Sequence, residues 1–393
     1  MNVLFLSHSY PREPADPVGS FVLRLAVALR DEGVAVSVVA PAGDRLPARE
    51  MMEGIPVRRF RYAPRRLETL AYTGTMLAQA AATPGALLAF GGLLTAGLAA
   101  AMSEAGRMRA DVVHAHWWFP GGAVGVGVRR LRGLPLVTTL HGSDLRAARH
   151  SALATRAFRS VLAGSSAVTT VSSWLADETR QLAPGSTPIV APMPVAPGLF
   201  APEGPRDQDR LLFVGKLNEQ KGVGHLLRAF ALMRSKPGLD IVVGVGSEVE
   251  PTRSLAESLG VADRVTFHPL LPQRELARCY RRATALVAPF VDEGLGLVAI
   301  EAALSGTPVV AYSSGGLTDV VVDRRTGILV PVGDDRALAT ALDDLLATPD
   351  RGAALGANAR EHALATFAPH AVASRYAALY RSLIAAPAVE RNA

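Results

Sequence analysis

Seven prolines, Pro184, Pro188, Pro192, Pro194, Pro197, Pro202 and Pro205, fall within residues 184–205. Each fixes its own φ and removes a backbone donor, so neither a helix nor a central strand runs through such a stretch. The same rhythm is written on both sides of it. Before it, apolar and β-branched runs at 3–6, 34–40, 111–116, 136–140 and 167–171 alternate with helical spacing such as Phe21, Leu25, Ala28 and Leu29. After it, runs at 211–214, 240–245, 265–267, 285–288, 308–312 and 327–330 resume, with a helix expected over 224–233. Strand–helix alternation predicts a parallel sheet covered by helices on both faces. The expected fold is α/β: two doubly wound, Rossmann-like domains over residues 1–195 and 196–375, then a C-terminal helix and frayed tail over 376–393. Ligands of such sheets bind beyond the carboxyl ends of the strands. Two such domains are expected to face a central cleft.

The chain has 393 residues, 49% apolar and 19% charged, enough for two buried cores and far from a disordered composition. A single cysteine, Cys279, excludes a disulfide framework and a thiolate-rich metal site. His114 and His116 have no carboxylate or cysteine at ligand spacing, so no metal is expected. The net charge is +6, with short basic clusters at Arg58-Arg59-Phe60-Arg61, Arg65-Arg66 and Arg129-Arg130. These read as a solvated face, with an anionic membrane or substrate as the competing reading. Aromatics are only 6%, too few for the stacking platforms of nucleic-acid binding, so no nucleic-acid partner is expected.

No charged residue occurs between Glu68 and Glu104, a run of 35 positions. Thr83-Pro84-Gly85 breaks it into two helical pieces, and Gly91-Gly92 suits close helix packing. The run reads as helices of the first domain, with peripheral contact to anionic lipid as the alternative. The N-terminus lacks a basic region before its apolar run and reads as a buried strand. The expected location is cytoplasmic, with the inner face of the membrane as its variant.

Only three of the 41 basic residues are lysine, and two of them, Lys216 and Lys221, flank a glycine-bounded turn after the strand at 211–214. Charges at a strand's carboxyl end suit a phosphate. After the strand at 285–288 comes Asp292-Glu293-Gly294-Leu295-Gly296-Leu297, a glycine loop opening a helix, with Glu301 two turns further on. Glycines let backbone amides approach an anion, and a carboxylate inside the apolar run 297–304 needs a partner; ribose hydroxyls would serve. Ser313-Ser314-Gly315-Gly316 is a second such turn. In the first half, His141-Gly142-Ser143-Asp144 ends a strand, and His116-Trp117-Trp118 ends another. The indoles either line a sugar site or fill the core. Gly19, in Pro17-Val18-Gly19-Ser20, is a place where backbone can come close to a ligand.

Taken together, these residues resemble the retaining, nucleotide-sugar-dependent glycosyltransferases of family 4, with the two-domain GT-B fold, over roughly residues 1–380. The specific elements are Glu-Gly-x-Gly-Leu-Val-x-x-Glu at 293–301 and Val-Gly-Lys-Leu-x-x-x-Lys-Gly at 214–222, the latter followed by Leu-Leu-x-Ala-Phe. The resemblance implies that Lys221, with Lys216, contacts the donor diphosphate. It implies that backbone at Gly294, Leu295, Gly296 and Leu297 adds phosphate contacts, that Glu293 holds hydroxyls of the transferred sugar, and that Glu301 holds the ribose. His141 would lie beside the transferred sugar, making His141, Glu293 and Lys221 the catalytic set. Gly19, His116 and Asp144 fall to the acceptor and phosphate loops. No cofactor and no metal are implied; the nucleoside-diphosphate sugar is a substrate.

Three positions depart from the family pattern: Lys216 stands where arginine is usual, Gly19 stands alone where two glycines are usual, and Pro192–Gly198 replaces Pro-x-Gly-Val-Asp. Lysine keeps the charge but loses arginine's bidentate fork. The expected activity is transfer of a sugar to a hydroxyl of a glycan, glycolipid or natural product. A nucleotide-sugar epimerase or a pseudo-glycosyltransferase on the same fold is the first alternative. A non-catalytic nucleotide-sugar-binding protein is the second. Donor sugar, base, acceptor and oligomeric state are not legible.

Overall fold

A computed structural model describes residues 1–386 except 15, 17, 44–45, 73–75, 77–78, 80–82, 205, 207–208 and 245. Pro17, Pro205, the end of the expected strand at Val245, most of the first helical piece in 69–82 and the tail beyond 386 therefore lie outside the described residues. The chain divides into two compact units. The first holds residues 1–194 and 369 onward, and the second holds 195–368.

The first unit is built on eight described strands. In chain order it runs β1 (Asn2–Leu6), α1 (Ser20–Asp31), β2 (Ala35–Pro41), β3 (Arg49–Met52), β4 (Ile55–Phe60) and α2 (Pro84–Met108). It continues with β5 (Val112–His116), α3 (Ala123–Arg132), β6 (Leu136–Leu140), α4 (Ser143–Arg149), α5 (Ala152–Ala163), β7 (Ala167–Thr170), α6 (Ser173–Leu182) and β8 (Ile189–Val190). The sheet order is β3-β4-β2-β1-β5-β6-β7-β8, parallel except where β3 pairs antiparallel with β4. The second unit carries an all-parallel sheet of order β11-β10-β9-β12-β13-β14. Its elements are β9 (Arg210–Gly215), α7 (Val223–Leu232), β10 (Gly238–Val243), α8 (Glu250–Ser258), β11 (Val265–His268), α9 (Gln273–Arg282), β12 (Ala285–Ala288), α10 (Leu297–Leu304), β13 (Val309–Tyr312), α11 (Leu317–Val320), β14 (Gly327–Val330), α12 (Asp335–Leu346) and α13 (Pro349–Phe367). In both sheets the chain starts in the middle and winds outward in both directions, the doubly wound pattern.

The last helix, α14 (Pro369–Ala385), belongs to the first unit and packs on α1. Sequence reading sets the final segment apart at 376; the helix begins seven residues earlier, with Pro369 at its start, where a missing N–H costs nothing. The proline-rich segment is also more than a spacer. Ala191, Met193 and Val195 are buried, and Tyr376 of α14 donates to the Ala191 carbonyl at 2.9 Å.

Side-chain alternation along β5 sorts the two faces of the first sheet. Val113 and Ala115 join Leu4, Leu6, Ala101 and Val128 in a core under α2 and α3. His114 and His116 point to the opposite face, where His114 meets Tyr376 and Tyr380 of α14.

The uncharged run ends in α2, capped by Thr83, whose side chain accepts from Ala86 N. This helix is long and apolar enough to cross a membrane by length and composition. It packs in the first unit through Ala89, Leu93, Gly97, Ala100 and Ala101, while Leu87 and Leu88 are exposed. The glutamates that bound the run are both anchored. Glu68 accepts from Tyr62 N at 3.0 Å, and buried Glu104 accepts from Ser37 at 2.9 Å and from Arg107 Nε at 3.0 Å. Burial pushes the Glu104 carboxyl up, but bonds from Arg107 and Ser37 and the charges of Arg107 and Arg49 outweigh it and hold it below its ordinary range. The basic cluster at 58–61 is not all solvated: Arg59 is buried, donating to Glu50 at 2.8 Å, to Tyr72 at 3.0 Å and to the Pro11 carbonyl.

Gly91 and Gly92 have opposite constraints. A Cβ on Gly92 would stand 2.0 Å from the Tyr62 carbonyl oxygen, whereas one on Gly91 meets nothing within 4 Å. Gly91→Ala should therefore stabilise the protein by up to about 1 kcal/mol through helix propensity. Gly92→Ala should destabilise it by about 1–3 kcal/mol through overpacking. Urea denaturation followed by circular dichroism reads both, and equal midpoints would contradict the packing of α2.

Candidate functional site

In the second unit the lysine turn and the glutamate loop follow neighbouring strands, β9 and β12. After β9, the Asn218 side chain accepts from Lys221 N at 3.0 Å and closes a single turn, Glu219–Lys221. Gly222 then takes φ 64°, and a Cβ there would lie 2.1 Å from the Pro289 carbonyl oxygen. This approach locks the β9 loop onto the β12 loop, reinforced by Val291 N donating to the Gln220 carbonyl at 2.8 Å. Lys221 Nζ consequently reaches Glu293 Oε2 at 2.8 Å and sits 4.1 Å above the Phe290 ring. Both partners of this ion pair are about four-fifths buried. Lys216 is exposed and makes no side-chain hydrogen bond or ion pair among the described residues.

The glycine turn after β13 supports the glutamate loop from behind. Gly316 N donates to the Glu293 carbonyl at 2.7 Å, Ser314 Oγ accepts from Asp292 N at 3.0 Å, and a Cβ on Gly315 or Gly316 would strike the backbone of 292–295. Its role is thus to hold Asp292, Glu293 and Gly294 in place. Gly296, at φ 89°, opens α10, and Leu295 and Leu297 flank it. The Glu301 side chain, on the second turn of α10, is buried and accepts from Tyr280 Oη at 3.0 Å. Burial and the Glu301 charge push the Tyr280 phenol well up, so it stays a donor. Asn218, Phe290 and Tyr280 are the residues of this site that sequence reading missed. Tyr280 sits in an arginine-rich helix that looks like surface; its signal is the tyrosine at a core-facing position beside Ala277.

In the first unit His141 ends β6 and packs against Trp117 at 4.5 Å and Phe21 at 5.1 Å between ring centroids. Asp144 fixes the turn: its carboxylate accepts from His141 N and, at 3.0 Å, from Trp118 N. Burial lifts the Asp144 carboxyl to about 6 even though these backbone bonds pull it down. Trp118 is core, while Trp117, at φ 64°, is partly exposed beside His141 and donates to Ser143 Oγ at 3.1 Å. Of the two indoles, Trp118 therefore fills the core. His116 is fully buried behind His141, with its Nδ1 3.1 Å from His141 Nε2. Burial drives His116 down to about 3 and His8 to about 4. Burial, with the charges of neighbouring histidines, takes His114 and His141 well below the ordinary range. These imidazoles are neutral at physiological pH. The constraint on Gly19 is internal: a Cβ would stand 2.0 Å from the Ser9 carbonyl oxygen. Its neighbour is the chain's own backbone, and Asp144 likewise faces backbone amides.

Two family models match the chain: "Glycosyl transferase 4-like domain" over residues 18–196 and "Glycosyl transferases group 1" over 200–362. The D-inositol 3-phosphate glycosyltransferase of Thermobispora bispora is 35% identical, covering 92% of this chain and 88% of the relative. A protein of the same name from Catenulispora acidiphila is 34% identical over 93% and 90% of the two chains. Among solved structures, sucrose-phosphate synthase from Thermosynechococcus elongatus superposes with a TM-score of 0.81 at 25% identity, over 98% of this chain and 100% of that one. HepE of Anabaena, solved with UDP-glucose, shares the fold at a TM-score of 0.72 and 19% identity, over 97% and 100% of the two chains. With both halves of the pattern present and relatives matching along nearly the whole chain, the protein belongs to the family 4 glycosyltransferases of GT-B fold.

Proposed function

We propose that the chain transfers a sugar from a nucleoside-diphosphate sugar to an acceptor hydroxyl with retention of the anomeric configuration. The observation that carries this reading is the convergence of Lys216, Lys221, the Gly294–Gly296 turn and Glu301 beyond two adjacent strands of the second unit. A departing diphosphate needs positive charge and aligned amides at its oxygens. The two lysines and the start of α10 supply them, which is why the proposed reaction is metal-independent. Glu301, oriented by Tyr280, accepts from ribose hydroxyls, and Glu293 accepts from a hydroxyl of the transferred sugar. Among the described residues of the site, Glu293 is paired with Lys221 and Glu301 with Tyr280, an arrangement that does not suit a double displacement. The acceptor oxygen therefore bonds to the anomeric carbon on the face from which the diphosphate leaves, and the acceptor proton passes to the departing phosphate oxygen. The proposed location is the cytoplasm.

The acceptor panel should begin with D-inositol 3-phosphate, for which the relatives are named, followed by glycan, glycolipid and natural-product hydroxyls. UDP- and GDP-sugars should be scored by release of nucleoside diphosphate. Acceptor-dependent release, persistence in EDTA and a product with the donor's anomeric configuration by NMR are the expected results. Release that ignores every acceptor would sink the transferase reading.

Lys221→Ala should reduce transfer about 30- to 1000-fold, the usual loss when a charge-assisted contact to developing charge is removed. Lys221→Arg should recover part of it. Circular dichroism must show the fold unchanged, and near-normal turnover by the alanine variant would contradict the assignment.

The ion pair generates a sharper expectation. Glu293 holds Lys221 by its carboxylate, so Glu293→Gln should bind free nucleoside diphosphate several-fold more tightly while transferring sugar more slowly. Glu301→Ala should weaken the same binding by roughly 10- to 100-fold, the worth of hydrogen bonds to a charged group. Calorimetry with nucleoside diphosphate alone separates them; weaker binding by Glu293→Gln would reject the competition for Lys221.

A further inference from the structure

The His116–His141 contact fixes more than position. Each neutral imidazole carries one proton on one of its two nitrogens. The 3.1 Å contact between His116 Nδ1 and His141 Nε2 requires one donor and one acceptor. If His141 Nε2–H donated, His116 would carry its own proton on Nε2. Among the described residues that atom is buried without a hydrogen-bond partner, and it belongs to a ring packed against Phe5 and His114. A buried N–H with no acceptor is the rarest kind of unsatisfied group in folded proteins. In the other arrangement His116 Nδ1–H donates, and only a bare lone pair is left against the apolar wall.

We infer that His116 is a positioning residue that donates to His141 Nε2 and holds His141 in the Nδ1–H tautomer. His141 is partly exposed, and among the described residues its Nδ1 makes no hydrogen bond, which leaves that nitrogen for a ligand. The residue is thereby set as a neutral hydrogen-bond donor toward an oxygen acceptor, a sugar hydroxyl or a phosphate oxygen, and is not set as a base. The consequence for transfer rests on the proposed function, in which His141 lies beside the transferred sugar; the tautomer itself does not.

The rest of the cluster fits this assignment. His114 is held independently, with Nδ1 2.6 Å from Tyr380 Oη and Nε2 2.6 Å from Thr139 Oγ1, so it does not compete for His116 Nε2. Asp144 accepts from the His141 backbone and not from its ring, so among the described residues the imidazole has no carboxylate to orient it. His116 is the hydrogen-bonding side chain left to do so.

The test is two-bond 1H–15N correlation NMR on the full-length protein with 15N-labelled histidine, His141 being assigned by loss of its signals in His141→Ala. A protonated Nδ1 and a bare Nε2 on His141 are expected in the wild type. His116→Asn places an amide N–H near the Nδ1 position and should keep both this pattern and kcat within about threefold. His116→Leu removes the donor, should shift His141 toward the Nε2–H form and should lower kcat roughly tenfold, the worth of one hydrogen bond, with KM for the donor less affected. An Nε2–H tautomer in the wild type, or an unchanged His141 pattern in His116→Leu, overturns the inference. The wild-type spectrum decides the matter even if the leucine variant does not fold. If the tautomer is as stated but His141→Ala transfers sugar at the wild-type rate, the inference stands and the role of His141 in transfer falls.

Discussion

A parallel sheet has to be covered on both faces, and this requirement decides where chemistry can occur in the chain. Strands such as β5 and β6 are buried along their whole length, which leaves only their ends for polar work. The residues proposed to touch a substrate lie past a strand's carboxyl end or on the helix that follows: Lys216 and Lys221 after β9, Glu293 and Glu301 after β12, His141 after β6. In the first unit the covering is completed late. The helix that meets His114 is α14, drawn from the far end of the chain. Without it, His114 on that face of β5 would lose the two tyrosine rings that cover it.

The second unit meets the same requirement with charge instead of neutral imidazoles. Its loops are stitched by glycines that permit backbone to lie on backbone, Gly222 on Pro289 and Gly316 on Gly294. Such approaches leave no slack between loops, so Lys221 and Glu293, 72 residues apart, meet at 2.8 Å. Two charges four-fifths buried would each carry a desolvation cost alone; paired, they neutralise one another. Any anion that takes Lys221 must therefore offer it more than a carboxylate does. A diphosphate, with more charge and more acceptor oxygens, meets that condition.

Much of this was legible before the structure, and the exceptions have physical reasons. The expected strands at 136–140, 285–288 and 327–330 coincide with β6, β12 and β14, because buried parallel strands are nearly pure apolar runs and lie against sharp punctuation. The hairpin β3–β4 was missed. Its second strand carries Arg58 and Arg59 where the alternation should be cleanest, and Arg59 is buried only because Glu50, Tyr72 and Pro11 accept from it. Beyond Asp335 the chain is helical in three pieces. Pro349 and Pro369 divide it, each opening a new helix, and the second opening carries the chain back to the first unit. The glycines and Lys221 singled out from sequence lie where the loops of the second unit meet. Their partners did not follow from sequence, since Glu293, Phe290, Tyr280 and His116 are brought to Lys221, Glu301 and His141 by sheet order and not by spacing.

The two units also differ in how their polar groups are insulated from pH. Around His141, burial removes charge: His8, His114, His116 and His141 are all shifted downward, so the cluster stays neutral from mildly acidic pH upward. The exception is Asp144, lifted to about 6 by the same burial, whose carboxylate holds the backbone at His141 and Trp118. In the second unit charge is kept and paired, and Tyr280 is held protonated by burial and by the carboxylate it serves. A neutral donor on one unit and a paired cation on the other call for different substitutions to probe them. At the histidine site the informative changes preserve neutrality and alter the donor; at the lysine site they alter charge and preserve shape.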